Sequence, residues 1–219
     1  MVLEDQIRKA LDELRKNSEK RKFDQTLDLI INLKKFNPKK ENLSLFVNIP
    51  HPVKEKKVCA FLEANNSNVD TITRTDFKKY SNKNEIKKMA KAYDFFIAEA
   101  SLMPAVATAF GKILGPLAKM PSPQLGILAS VNDKAVKELI ERVNKIVKIR
   151  SKEASLKIPL GKDSTSDDKI VENISGVYNA VLKALPKGND NVKNIKIKFT
   201  MSKPVKILLD STSNTGGKK

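Results

Sequence analysis

The hydrophobic pattern changes twice along this chain, and these changes constrain its fold more than any other feature. Near both ends apolar and polar residues alternate, as in "KFDQTLDLIINL" (22–33), "LSLFVNIP" (43–50), "SLKIPL" (155–160) and "NIKIKFTM" (194–201). Between them, apolar runs such as "KVCAFLEA", "DFFIAEA" and "GILASV" do not alternate. Alternation is typical of strands with one solvent-facing side, whereas unbroken runs favour strands buried on both faces of a parallel sheet.

Helical spacing of apolar residues adds four helices to this pattern. They are predicted over residues 2–17, over 81–93 with Ser81 or Asn82 as the N-cap, over 132–147 with Asn132 as the N-cap, and over 170–185. The fold class that follows is an α+β first domain built from both termini, residues 1–52 and 150–219. An α/β, Rossmann-like second domain, residues 53–149, is inserted into it. The chain would cross between the domains near Pro52 and Arg150, and these crossings would form a double hinge.

Charge points to a polyanionic partner. The chain has 42 basic and 25 acidic residues, a net charge of +17. Residues 53–149 hold 17 basic and 10 acidic side chains and the two end segments hold 25 and 15, so both predicted domains are cationic. Nucleic acid is the commonest partner of such a protein, and a membrane surface is the rival. The chain has no apolar run of 18 residues, no signal-peptide core and no tryptophan, which disfavours the membrane and predicts a soluble, cytoplasmic protein.

The residues that could carry catalysis do not form a recognisable site. "GKILGPLAKMPSPQLG" (111–126) lacks the spacing of a phosphate-binding loop, and it is interpreted as a helix end followed by a proline-rich turn, with a binding loop as the alternative. Cys59 lies alone in an apolar run, and His51 lies between two prolines. Neither has the partners that a disulfide, a metal or a catalytic triad requires. The sequence therefore predicts a non-enzyme without catalytic residues, cofactor or metal. A nucleotide-binding enzyme built on the middle domain is the rival.

The lysines of the terminal segments favour RNA in particular. In "KIKFTM" and "SLKIPL" they fall on single strand faces, together with threonine. The neighbouring "KRKF" adds further cations and one aromatic ring. Phosphate contacts, contacts to the ribose 2′-hydroxyl and base stacking are the elements of RNA recognition.

Five segments, in their order along the chain, resemble one known family. They are "KFDQTLDL", "KKMAKAYDFFIAEASL", "GKILGPLAKMP", "LGKDSTSDDKIVENI" and "TMSKPVKI". Together they resemble the L-one family of large-subunit ribosomal proteins, in its archaeal and eukaryotic branch. The resemblance extends over nearly the whole chain. It implies a two-domain protein with the second domain inserted in the first.

The resemblance also implies a function. Such a protein would bind large-subunit ribosomal RNA at the mobile stalk near the tRNA exit site and assist the release of deacylated tRNA. Its further partners would be exit-site tRNA and its own mRNA, and we expect it to be cytoplasmic and monomeric off the ribosome. The alternative is a free translational repressor that binds its own mRNA at a site resembling the ribosomal one.

The same resemblance implies which residues contact RNA. They are Lys22, Phe23, Thr26, Asp28, Gly161, Lys162, Asn194, Thr200, Met201 and Ser202. Ser202 stands where the family usually has glycine, which would reshape this contact if the glycine allows a close backbone approach. Lys112 and Lys119 are candidates for a secondary contact to ribosomal RNA or tRNA.

Overall fold

The computed structural model describes residues 2–208, apart from residues 20, 39, 40, 42, 81, 124, 129–132 and 152. The described residues form a mixed α and β structure with five helices and three sheets. The helices are α1 (Val2–Asn17), α2 (Lys83–Ala92), α3 (Met103–Leu114), α4 (Asp133–Asn144) and α5 (Asp167–Ala184). The strands are β1 (Thr26–Leu33), β2 (Ser44–Asn48), β3 (Val58–Phe61), β4 (Asp70–Ile72), β5 (Phe95–Glu99), β6 (Ile127–Leu128), β7 (Ile146–Arg150), β8 (Ser155–Lys162), β9 (Val192–Phe199) and β10 (Val205–Ile207). None of the described helices is both long and apolar enough to span a bilayer.

The contacts divide the chain into two compact units, Met1–Val53 with Lys145–Lys219, and Lys54–Asn144. The first boundary lies one residue beyond the predicted one, whereas the second lies five residues before it. The reason for the second difference is that β7 pairs in antiparallel register with β2, which belongs to the first unit.

The first unit contains an antiparallel sheet in the order β10-β9-β1-β8. Alternate side chains of its strands pack with α1 and α5 into one core, which includes Ile7, Leu11, Leu29, Ile174 and Ile197. The intervening residues of β1, from Thr26 to Asn32, are only partly buried. The alternation in the sequence therefore separates a helix-covered face from a polar face of the same sheet.

The predicted strand at residues 22–33 begins later than expected. β1 starts at Thr26, and Phe23 is 52% exposed although alternation placed it on the face of Leu27. Gln25, on that same predicted face, is 2% exposed. The reason is that residues 22–25 follow an irregular path, so alternation cannot be extended to Phe23.

The second unit contains a parallel sheet in the order β4-β3-β5-β6. Successive residues of β3 belong to two different cores. Cys59 and Phe61 pack with α2 and α3, whereas Val58 and Ala60 pack with α4. Helices on both faces explain why the apolar runs of this segment do not alternate.

The observed ends of the helices can be compared with the predicted caps and ends. Asn82 caps α2, since its side chain accepts a hydrogen bond from the Asn84 N–H; Ser81 and Asn132 lie outside the described residues. The prediction that Val147 continues α4 is wrong, because the helix ends at Asn144 and Val147 pairs with Val47 in the β2–β7 ribbon. The helix end predicted within residues 111–126 is confirmed, since α3 stops at Leu114, immediately before Gly115 and Pro116.

Candidate nucleic-acid interface

One end of the antiparallel sheet of the first unit brings together most of the predicted RNA-contact residues. β1 begins there, β8 and β9 end there, and the register pairs Thr26 with Lys162 and Leu27 with both Gly161 and Phe199. The predicted residues at this end, or in the segments that enter and leave it, are Lys22, Phe23, Thr26, Gly161, Lys162, Thr200, Met201 and Ser202. We refer to this region as the sheet end.

The other two predicted residues lie further along the polar face of the sheet, Asp28 two residues from Thr26 and Asn194 at the opposite end of β1. Asp28 faces Lys198 across the β1–β9 pair. Burial raises the pKa of Asp28, and the Lys198 charge opposes part of this shift. Asn194 pairs with Asn32, six residues from Thr26 and therefore about 20 Å away along the strand. Its Oδ1 accepts a hydrogen bond from Asn32 Nδ2 at 2.6 Å. The structure does not bring Asn194 to the sheet end.

Thr200 joins the start of β1 to the end of β9. Its Oγ1 accepts a hydrogen bond from the Thr26 N–H at 3.2 Å and donates one to the Thr26 carbonyl at 3.3 Å. A hydroxyl has one donor and two acceptor sites. These two bonds therefore leave one acceptor site on the hydroxyl of Thr200, an exposed residue, and this site is suited to a donor such as a ribose 2′-hydroxyl.

Gln25 is a positioning residue that the sequence reasoning did not identify as part of the site. Its buried amide oxygen accepts a hydrogen bond from the Met201 N–H at 3.1 Å, and its Nε2 donates to the Glu19 carbonyl at 3.4 Å. The Gln25 carbonyl also accepts from the Asp163 N–H at 2.8 Å. A polar residue at a predicted inward position was the signal that could have revealed this role.

Exposed apolar side chains lie beside these polar groups. Phe23 is 52% and Met201 is 62% exposed, and Lys22 next to Phe23 is also exposed. Exposed aromatic rings provide stacking platforms for unpaired bases, and a neighbouring lysine can neutralise a phosphate. The sheet end thus combines the two kinds of contact that single-stranded nucleic acid requires.

Lys162 is oriented by a small polar cluster. The Asp24 carboxylate accepts hydrogen bonds from Ser164 Oγ at 2.8 Å and the Ser164 N–H at 3.1 Å, and it lies 3.6 Å from Lys162 Nζ. The hydrogen bonds from Ser164 lower the pKa of Asp24, and the Lys162 charge adds to this effect. The Asp24 carboxylate thus lies beside the Lys162 ammonium at the sheet end.

Arg15 is engaged within the protein. Its guanidinium donates to Asp163 Oδ1 at 2.9 Å and to Asp167 Oδ1 at 2.7 Å, and it lies 5.8 Å from the ring centroid of Phe199. These contacts fix the loop between β8 and α5 against α1. Arg15 acts on the sheet end by positioning this loop.

Gly161 is buried, and its place in the sheet has a packing reason. A Cβ at this position would lie 3.0 Å from Ile170 Cγ1, and Ile170 is itself fully buried in α5. The absence of a side chain lets β8 approach the helix closely.

Ser202 closes the turn after β9. Its Oγ accepts a hydrogen bond from the Phe199 N–H at 2.8 Å, and its own N–H donates to the Phe199 carbonyl at 3.1 Å. Among the described residues other than glycine, only Lys35 and Ala118 have positive φ, so the backbone at Ser202 does not require glycine. The serine side chain is directed into the turn.

Ser202→Gly should weaken this turn by about 1 kcal/mol, because it removes the acceptor of the Phe199 N–H and makes the chain more flexible. Hydrogen exchange at the Phe199 amide should accelerate about fivefold. Ser202→Ala, which removes the hydroxyl without adding backbone freedom, should give a smaller acceleration. Unchanged exchange at Phe199 in both variants would contradict the proposed role of the hydroxyl.

A cleft of about 550 Å³ adjoins the turn, next to Met201 and Ser202. Its walls carry the cations Arg21, Lys203 and Lys206 and the carboxylates Glu13 and Glu19. Arg21 pairs with Glu19 at 2.7 Å. The cleft extends the polar surface of the sheet end toward α1.

The two candidate lysines of the second unit differ in their surroundings. Lys119 Nζ donates to the carbonyls of Ala90 and Tyr93, both at 2.7 Å, and so satisfies groups at the C-terminus of α2. Lys112 is exposed on α3. Of the two, Lys112 is placed to reach an external partner.

Comparison with known proteins identifies the family. Residues 14–203 match the model of the Ribosomal protein L1p/L10e family, a span that includes every residue of the sheet end. The chain belongs to this family. The resemblance inferred from the sequence motifs is confirmed.

Archaeal members of the L1p/L10e family match over most of their length. The large ribosomal subunit protein uL1 of Pyrobaculum calidifontis is 35% identical in an alignment that covers 94% of this chain and 95% of the relative. The corresponding protein of Nanoarchaeum equitans is 32% identical over 95% of this chain and 100% of the relative. That of Methanocaldococcus jannaschii is 34% identical over 90% of this chain and 93% of the relative.

Proposed function

We propose that this chain is a structural constituent of the large ribosomal subunit that binds ribosomal RNA through the sheet end. The observation that carries the proposal is the combination of exposed Phe23 and Met201 with Lys22, Lys162 and the hydrogen-bonded Thr26–Thr200 pair. The names of the uL1 relatives and the net charge of +17 support it.

In this proposal each group has a separate task. Lys22 and Lys162 neutralise phosphates, Phe23 stacks on an unpaired base, and the Thr200 oxygen accepts from a 2′-hydroxyl. Gln25 and Arg15 act indirectly, because they hold the β9–β10 turn and the β8–α5 loop in place. Binding requires no catalytic step, and the protein would act as a non-enzyme.

The protein would also have a defined place in the ribosome. The RNA element would belong to the mobile stalk near the tRNA exit site, and the protein would assist the release of deacylated tRNA in the cytoplasm. The first unit would serve as the RNA-binding domain. The second, with its parallel sheet, would form an inserted Rossmann-like domain.

Filter binding to a stalk fragment of large-subunit RNA tests the proposal. Lys22→Ala should lower the affinity by about tenfold. The slope of log affinity against log salt should also become less steep, by the amount expected for the loss of one phosphate contact. Lys183→Ala, which removes an exposed lysine near the end of α5, is the matched control and should change neither quantity. Equal effects of the two substitutions would exclude Lys22 from the site.

A competition experiment distinguishes the ribosomal role from repression of the protein's own messenger. The 5′ leader of the protein's own messenger is added to the complex with the stalk fragment. If the leader displaces the fragment at lower concentration than unlabelled fragment does, the messenger is the main target. We expect the ribosomal fragment to compete better.

A further inference from the structure

A second basic surface lies on the β2–β7 ribbon, which forms a sheet of its own within the first unit. Val47 and Ile149 point into the core and are 6% and 2% exposed. The opposite side carries three cross-strand pairs, Ser44 with Arg150, Phe46 with Lys148, and Asn48 with Ile146. We call these six residues the basic ribbon face.

An aromatic ring orients one of the two cations on the basic ribbon face. Lys148 Nζ lies 5.2 Å from the ring centroid of Phe46, a cation–π contact that orients the ammonium. Arg150 lies two residues further on the same face, about 7 Å along the strand. Both cations are exposed. Phe46 is half-buried and does not belong to the hydrophobic core cluster.

The composition of this face favours an anion with repeated charges. None of its six residues is acidic, and two of them are cations held on one side of a ribbon whose other side is anchored in the core. Neighbouring like charges repel each other, and partial desolvation of the Lys148 ammonium together with the Arg150 charge lowers the pKa of Lys148. An RNA strand supplies successive phosphates, each of which can meet one of the two cations.

We propose that the basic ribbon face binds the phosphate backbone of an RNA strand, as a contact separate from the sheet end. The inference rests on the proposed function for the class of its partner. Its position is inferred from the exposed Lys148 and Arg150 side chains on the outer side of the ribbon. A contact of this kind adds affinity and salt dependence with little sequence preference.

The test uses the full chain and the double variant Lys148→Gln with Arg150→Gln. Binding of large-subunit RNA is measured at several salt concentrations, and the slope of log affinity against log salt should fall by about 1.5 for two lost phosphate contacts. The control variant Lys183→Gln with Lys187→Gln removes the same charge from the end of α5 and the loop after it. Its slope should match that of the unsubstituted protein. Equal slopes for the two double variants would overturn the proposal.

Two further measurements identify the ligand and distinguish the basic ribbon face from the sheet end. A labelled uridine oligonucleotide should shift the amide resonances of Phe46, Lys148 and Arg150. Vesicles of phosphatidylserine should not bind through these residues, and binding to vesicles without binding to RNA would overturn the assignment. If both Lys22→Ala and Thr200→Val leave RNA affinity unchanged while the ribbon variant lowers the slope, the proposed function of the sheet end fails and the ribbon contact stands.

Discussion

Gly161→Ala should destabilise the first unit by about 2 kcal/mol, because an added methyl group would press on a buried side chain. The new Cβ would lie 3.0 Å from Ile170 Cγ1 and 3.5 Å from its Cδ1. Ile170 is fully buried among the residues of the first core, so it cannot move into solvent. Either the Ile170 side chain or the spacing between β8 and α5 must change.

Hydrogen exchange at the amides of β8 and α5 measures this effect locally, which is useful because the chain has two compact units and two-state unfolding is not assured for such a chain. The matched control is Gly176→Ala, in the middle of α5, where an added Cβ meets no atom within 4 Å. This substitution should stabilise the helix by about 1 kcal/mol, since alanine has the higher helix propensity. Equal protection in the two variants would contradict the packing role of Gly161.

Thr200→Val should lower the affinity for large-subunit RNA by about 10- to 100-fold. Valine keeps the shape of threonine but removes both hydrogen bonds to Thr26 and the remaining acceptor site. Because Thr200 is exposed, water replaces the lost partners, and the stability of the unit should fall by about 1 kcal/mol or less. The loss should therefore appear in binding more than in folding.

Filter binding at fixed salt and thermal unfolding, measured on the same preparations, separate these two effects. Thr200→Ser retains the hydroxyl and should restore most of the affinity. Thr108→Val, which makes the same chemical change at an exposed threonine of α3 in the second unit, is the control. If Thr200→Val binds RNA as tightly as the unsubstituted protein, Thr200 is excluded from the interface.

Local patterns predicted the first helix and much of the sheet. Helical spacing predicted α1 over Val2–Asn17, which the structure confirms. Alternation predicted that Leu27, Leu29 and Ile31 face the core, and all three are fully buried. Such patterns work because each depends on residues close together in the chain. They fail where an element ends, as at Phe23 and Val147, because neighbouring residues do not determine where pairing stops.

The sequence by itself determined the types of the elements with clear periodicity, the alternation between core and polar faces, the excess positive charge and the family. The tertiary structure decided what the side chains at the sheet end do. Thr26 bonds to Thr200 across 174 residues, Arg15 reaches Asp163 across 148, and Gln25 holds Met201 across 176. No local pattern encodes such pairs. The geometry of the sheet end depends on strands and loops from both ends of the chain meeting in one fold.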